Sequence, residues 1–243
     1  MVSVVIPMYN EESIAEESMR ELCSYMASNF EDWEVVVSND GSRDRTKEIM
    51  TALSQEINGL RFVSYDDNRG KGSAIREGIL ATRGDVVIYT DCDLAYGTGI
   101  IRTISEKLAS DGSDIVIGSR NISKDGYAGY TFLRKLASKT YIKVICLAAG
   151  FSHSDSQCGI KGFSQKASQA VFSECECDRW AFDLEALLIA KDKGFSVGEI
   201  AVKIINHRES NIRPIHDAIE MTKEVRRIKK RRKAKKKAEK AAK

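Results

Sequence analysis

The chain has 243 residues, 42% of them hydrophobic, which fits one α/β domain with a sizeable core plus a tail and argues against a second domain. Its six cysteines (Cys23, Cys92, Cys146, Cys158, Cys175 and Cys177) form no Cys-x-x-Cys pair, which argues against a zinc ribbon or a disulfide scaffold and leaves reduced thiols as the expectation. The net charge of +3 hides an asymmetry: residues 223–243 carry 13 Lys/Arg against two Glu, a net +11, which leaves −8 on the remainder.

The opening Met1-Val-Ser-Val-Val-Ile-Pro reads as a first strand, with no basic and apolar signal-peptide pattern. The longest apolar run, Val144 to Phe151, falls short of the ~20 residues a helical membrane span needs. Short β-branched runs predict strands at Val2 to Ile6, Glu34 to Ser38, Leu60 to Tyr65, Asp85 to Thr90 and Asp114 to Gly118, with helical patterns near 11–30, 43–57, 71–82 and 97–110 between them. That alternation implies βαβ crossovers and a mostly parallel sheet flanked by helices. After Gly118 come a polar loop (119–129), a long, largely apolar helical pattern from Tyr130 to Phe151, and a loop around Asp155 to Gly159. A helix near 181–193 and two short strands near 195–205 follow. The division expected is a catalytic domain over 1–213 and a basic helical tail over 214–243.

The strand at Asp85 to Thr90 stops at Asp91-Cys-Asp93. Ligands of open α/β sheets collect at the carboxyl ends of the strands, so both carboxylates are placed to meet one. Two residues apart on an extended chain they point the same way, which suits a hard cation such as Mg²⁺ or Mn²⁺. The first strand ends in Pro7-Met-Tyr9-Asn-Glu11, the second in Asn39-Asp40-Gly-Ser42, and Gly70-Lys71-Gly72 opens a helix as a candidate anion site. Farther on, Gly118-Ser-Arg120 closes the fifth strand, and Arg134 and Ser138 are spaced to share one helix face.

This ordered set, with Gly84-Asp85, Asp155-Ser-Gln-Cys-Gly159 and Phe182-Asp-Leu-Glu185, resembles the family 2 glycosyltransferases of the GT-A fold over about residues 2–215. Among them it is most similar to the polyprenyl- or dolichyl-phosphate sugar synthases, and its Asp155 to Phe163 and Arg179 to Glu185 stretches to the dolichyl-phosphate glucosyltransferase branch. The resemblance implies that Pro7, Tyr9, Glu11 and Asp40, with Lys71, Asp91 and Cys92, meet the nucleotide, and that Asp91 and Asp93 hold Mg²⁺ or Mn²⁺. It places Arg120, Arg134 and Ser138 on the acceptor's phosphate. Three departures stand out: Asn39 where aspartate is usual, Ala95 where the mannose branch has a glutamine ligand, and Glu209-Ser-Asn211 where Gly-Ser-Lys is usual, which leaves Arg208 or Arg213 as the cation for the diphosphate.

The reaction expected is an inverting transfer of a hexose, glucose from a UDP-sugar, to a polyprenyl phosphate. A phosphate monoester, with a second pKa of ~6, attacks without a carboxylate base. A saccharide hydroxyl acceptor would need one, and Asp183 is then the candidate, with a locally satisfied helix N-terminal carboxylate as its plain alternative. A non-catalytic module that binds a nucleotide sugar or a membrane is the third reading. The apolar helix at 130–151 and the basic tail suggest peripheral attachment to the cytoplasmic membrane face. Nucleic acid is not expected, because no aromatics interleave the tail's basic residues. A homo-oligomer is left open.

Overall fold

The computed structural model describes residues 1–127, 130, 135, 139, 142, 150, 154–206, 223–234 and 237. Seven strands form one sheet: β1 (Val2–Met8), β2 (Trp33–Asp40), β3 (Leu60–Tyr65), β4 (Val86–Tyr89), β5 (Ile115–Ser119), β6 (Lys161–Ser164) and β7 (Val197–Ala201). Their order is β3-β2-β1-β4-β6-β5-β7. Every pairing is parallel except those of β6, which runs antiparallel to both β4 and β5. The mostly parallel α/β sheet is as expected. Neither β6 nor the helix that follows it was, and a single strand, β7, stands where two were predicted. Residues 202–206 instead lie along the end of β5 and the loop after β4, with Val202 N–H on Ser119 O at 3.1 Å and Ile205 N–H on Ala95 O at 2.8 Å.

Alternating side chains divide the core into two layers. Val4, Ile6, Val35, Val37 and Ile88 face α1 (Ala15–Asn29), α2 (Thr46–Glu56) and α4 (Ile100–Ser110), which bury Met19, Leu22, Met26, Met50, Leu53 and Ile104 against them. Val5, Val36, Val87 and Tyr89 face the opposite layer, α3 (Lys71–Leu80), α5 (Gln165–Phe172) and α6 (Phe182–Lys193). β-branched residues buried on both faces are what a central parallel strand requires, and at roughly 1.5–3 kcal/mol per fully buried large apolar side chain this burial dominates stability.

Residues 223–234 form a helix, here α7. It is no free basic tail: Val225 and Ile228 are buried in the α6 layer, Arg231 Nη2 donates to Glu185 Oε1 at 2.7 Å, and Arg232 Nε donates to Asp192 Oδ2 at 2.8 Å. Among the described residues no helix is long and apolar enough to cross a membrane.

At the amino ends of the strands, buried Glu34 accepts from Ser3 Oγ (2.7 Å), Arg61 Nη1 (2.6 Å) and Arg83 N–H (2.6 Å). Burial opposes its ionisation, but these donors outweigh burial and hold its carboxyl below the ordinary value. A lowered value means stability that is present above the unfolded-state pKa and lost as pH falls through the folded one. Glu34→Gln is therefore expected to cost about 1–3 kcal/mol at neutral pH. Its decline in acid should be shallower than wild type, and parallel urea midpoints from neutral pH into the carboxylate range would contradict this.

Candidate active site

The sheet opens where its strand order reverses. β1 and β4 pair from Val2↔Val86 to Val5↔Tyr89, and a last bond runs from Thr90 N–H to Val5 O at 3.1 Å. Beyond it β1 continues with β2 alone, Pro7↔Ser38 and Met8↔Asn39. Such a switch point leaves a crevice at the carboxyl ends. Proline suits this place because it has no N–H to strand where the β4 partner has gone. The chain then presents Tyr9, 41% exposed, and Glu11, whose backbone N–H donates to Thr46 Oγ1 at 2.8 Å. Asn10, at φ 55°, laces this loop to the β2 end by accepting Arg43 N–H at 2.8 Å.

Across the crevice Asp91, Cys92 and Asp93 lie on a turn, not on the extended segment expected. Leu94 N–H closes on Asp91 O at 3.1 Å, and Leu94 itself takes φ 48°. The carboxylates still share one environment. Burial, and then the negative charge of Asp91, push the Asp93 carboxyl above its ordinary value, while Ala95 N–H at 3.1 Å and Lys71 only partly offset this. Asp91 pairs with the Lys71 ammonium, which burial opposes and which Asp91, followed by Asp183 and Asp93, holds above its ordinary value. Gly159 gives Asp91 its room: a Cβ there would lie 2.5 Å from Asp91 Oδ2. Cys92 is buried between the two acids.

This donor set fits a divalent cation. Two carboxylates, one carrying uncompensated repulsion, with a lysine ammonium already drawn to the other, form a site that gains from positive charge. Among the described residues no group of three or more His, Cys, Asp or Glu side chains could hold a metal. A pair is nevertheless the usual protein share for Mg²⁺ in sites where substrate phosphates and water complete the shell.

Asp40, the last residue of β2, is engaged within the chain. Its oxygens accept from Tyr65 Oη (2.7 Å), Arg69 N–H (2.8 Å), Asn68 Nδ2 (2.9 Å) and Gly70 N–H (2.8 Å), so it builds the loop ahead of α3. That loop positions Lys71, whose site assignment thus depends on Asp40 indirectly. The α3 N-terminus is also not the open anion site predicted, because Ser73 N–H donates to Asp178 O at 3.1 Å. Asn39 is enclosed, with Nδ2 on Ser64 Oγ at 2.9 Å and Oδ1 accepting Ser42 N–H at 3.3 Å.

Arg120 follows the last residue of β5. Its Nε and Nη2 form a fork on the fully buried Asp155 carboxylate at 2.7 and 3.0 Å, and its guanidinium lies 5.5 Å from the Tyr127 ring centre. A bidentate pair of this kind anchors the 154–159 loop to the end of β5 and fixes the orientation of the arginine. Arg134, Ser138, Arg208 and Arg213 lie outside the described residues. Asp183 is buried and locally satisfied, though not by the helix terminus: Lys161 Nζ donates to it at 2.6 Å and Tyr89 Oη donates to it too. Lys161, wholly buried, was missed in the sequence, because a lysine in a four-residue Lys-Gly-Phe-Ser run carries no strand signal. The 174–181 loop over Lys71 was missed too, since its contacts are long-range.

A family model described as Glycosyl transferase family 2 matches residues 3–172. A dolichyl-phosphate beta-glucosyltransferase of Trichomonas vaginalis is 33% identical over 213 residues, which cover 83% of this chain and 65% of that protein. The chain thus spans less than two thirds of that relative's length. The human dolichyl-phosphate beta-glucosyltransferase is 30% identical, with 92% of this chain and 73% of that one covered. Among solved structures, glucosyl-3-phosphoglycerate synthase from Mycobacterium tuberculosis, in complex with Mn²⁺, UDP and phosphoglyceric acid, matches at a TM-score of 0.69 and 20% identity. That match covers 94% of this chain and 76% of that one and is a likeness of fold.

Proposed function

The chain belongs to glycosyl transferase family 2, and on that premise we propose that it moves a hexose, glucose from UDP-glucose, to a polyprenyl or dolichyl phosphate. The observation that carries the reading is the Asp91 and Asp93 pair facing Pro7, Tyr9 and Glu11 across the switch-point crevice, with Lys71 on Asp91. Relatives named for transfer to dolichyl phosphate support the acceptor. A solved neighbour of the same fold, in complex with Mn²⁺ and UDP-glucose, supports the donor.

A divalent cation, Mg²⁺ or Mn²⁺, between Asp91 and Asp93 would offset the charge of the departing nucleoside diphosphate. Lys71, ion-paired with Asp91, adds a positive charge beside it, and Pro7, Tyr9, Glu11 and Cys92 line the nucleotide's side of the crevice. Arg120, Arg134 and Ser138 take the acceptor phosphate, as the resemblance assigns, and Arg208 or Arg213 is left to meet the diphosphate where the usual Gly-Ser-Lys is absent. An anionic acceptor needs no carboxylate to remove a proton, so its attack depends on positioning. The engagement of Asp183 by Lys161 and Tyr89 favours this acceptor over a saccharide hydroxyl, which would need a free base. Incubation with a set of nucleotide sugars and a short polyprenyl phosphate should give a lipid-linked hexose, read by mass, with UDP-glucose the best donor. Transfer to a saccharide with the lipid phosphate ignored would overturn the acceptor assignment.

The acceptor's chain requires a membrane, and α7 offers an exposed face with Arg226, Lys230 and Lys233 while its other face is docked. Attraction to anionic lipid is ~1 kcal/mol per Lys/Arg near the surface and fades once salt shortens the screening length. Attachment on the cytoplasmic side follows from this reading. Co-sedimentation with phosphatidylserine vesicles should be strong at about 0.1 M salt and weak at about 1 M, where the Debye length falls to ~3 Å. The variant Arg226→Glu/Lys230→Glu/Lys233→Glu should stay in the supernatant, and unchanged sedimentation would exclude this face.

A further inference from the structure

Trp180 keeps 62% of its surface in water, while its neighbours Ala181 and Phe182 are buried. The exposure does not come from a loose loop. Glu176 and Cys177 N–H both donate to Glu185 Oε2, at 2.9 and 2.6 Å, and Glu185 is itself held by Arg231 of α7. On the other side Asp178 accepts from Arg76 Nη2 at 2.7 Å through its carboxylate and from Ser73 N–H at 3.1 Å through its carbonyl. A Cβ on Gly72 would sit 2.4 Å from Cys177 O, so α3 and the loop are in direct backbone contact. The indole is thus held in a fixed place with its surface open to a ligand.

The ring stands beside the reaction site. Lys71 Nζ lies 5.6 Å from its centre and is ion-paired with Asp91. We infer that the Trp180 indole is the platform on which the transferred hexose of the nucleotide sugar lies. This rests on the proposed nucleotide-sugar function of the crevice. The hexose is bonded directly to the distal phosphate that Lys71, and Asp91 through a bound divalent cation, would meet, which brings it within one sugar's breadth of the ring. One face of a hexose in the chair form is a patch of C–H groups, and an aromatic face covers it without stranding hydroxyls, which point outward to the rim. An isoprenoid chain is the competing occupant. The donor side is favoured because the ring's contact runs through Lys71, which is ion-paired with Asp91 of the proposed diphosphate site.

The chain has two tryptophans, and Trp33 begins β2 at the opposite end of the sheet, so Trp33→Phe leaves Trp180 as the only indole. In that variant, with Mn²⁺ present, UDP-glucose should change the tryptophan emission and UDP should not. By calorimetry, Trp180→Ala should bind UDP-glucose about tenfold more weakly, the size of one aromatic contact. Its affinity for UDP should match wild type, and Trp180→Phe should recover most of the loss. Equal loss for both ligands, no loss for either, or a loss confined to the short polyprenyl phosphate would overturn the assignment while leaving the nucleotide-sugar function standing. If wild type bound neither UDP nor UDP-glucose, that function would fall, and the platform with it.

Discussion

Lys161→Ala should unfold well below wild type, with a loss of about 3–5 kcal/mol, the usual cost of removing one partner of a buried ion pair. The ammonium is wholly buried and bonds to Asp183 at 2.6 Å and to Cys158 O at 2.7 Å. Without it, Asp183 would keep the Tyr89 hydroxyl as its hydrogen-bond donor among the described residues and leave a carboxylate facing the aromatic cluster of Tyr89, Phe163, Phe172 and Phe182. At roughly 2–4 °C per kcal/mol for a chain of this size, the melting temperature should fall by on the order of 10 °C. The pair also explains how β6 is held between β4 and β5, since it ties the first residue of β6 to the first turn of α6. The double variant Lys161→Met/Asp183→Leu should regain most of the loss, because an apolar pair of similar volume removes both charges. A single variant as stable as wild type would show that the pair does not hold this junction.

Asp91→Asn and Asp93→Asn should each lower turnover by about 10²–10³ or more, the range seen when one electrostatic stabiliser of a leaving group is removed. Stability should move differently. Burial and Asp91 raise the Asp93 carboxyl, so the fold favours its protonated form. That contribution is present at low pH and lost as pH rises through the folded value. Asp93→Asn removes the repulsion and should melt at or slightly above wild type at neutral pH without metal. Loss of turnover with no loss of folding is therefore the expected signature, and a variant that loses both in proportion would mark Asp93 as a structural residue.

Local chemistry made the first half of the fold legible. Val2 to Met8 and Trp33 to Asp40 are buried along most of their length, and Leu60 to Tyr65 is a half-buried edge strand, so an apolar or β-branched run ending in turn residues identifies each strand. The second half depends on distant partners. Lys161-Gly-Phe-Ser becomes a strand only because β4 and β5 leave a gap for it, and its lysine is tolerated only because Asp183 arrives from 22 residues away. The motifs marked the crevice but not how each carboxylate is used. Asp40 ends β2 and Asp91 follows β4 by two residues, yet Tyr65 of β3 and three donors from the loop after it occupy Asp40, while Asp91 faces Lys71. Arg120 illustrates the same limit, since the Asp155 that claims its fork lies 35 residues on. The tail's net charge likewise concealed the apolar seam of Val225 and Ile228 and the two arginines that α6 neutralises.

Mn²⁺ binding to the full chain, followed by calorimetry with and without UDP, tests the cation site at Asp91 and Asp93 most directly. A single site that UDP tightens, and that Asp91→Asn/Asp93→Asn abolishes while the variant melts like wild type, is the predicted result. Equal Mn²⁺ affinity in wild type and the double variant, or UDP binding indifferent to Mn²⁺, would contradict it.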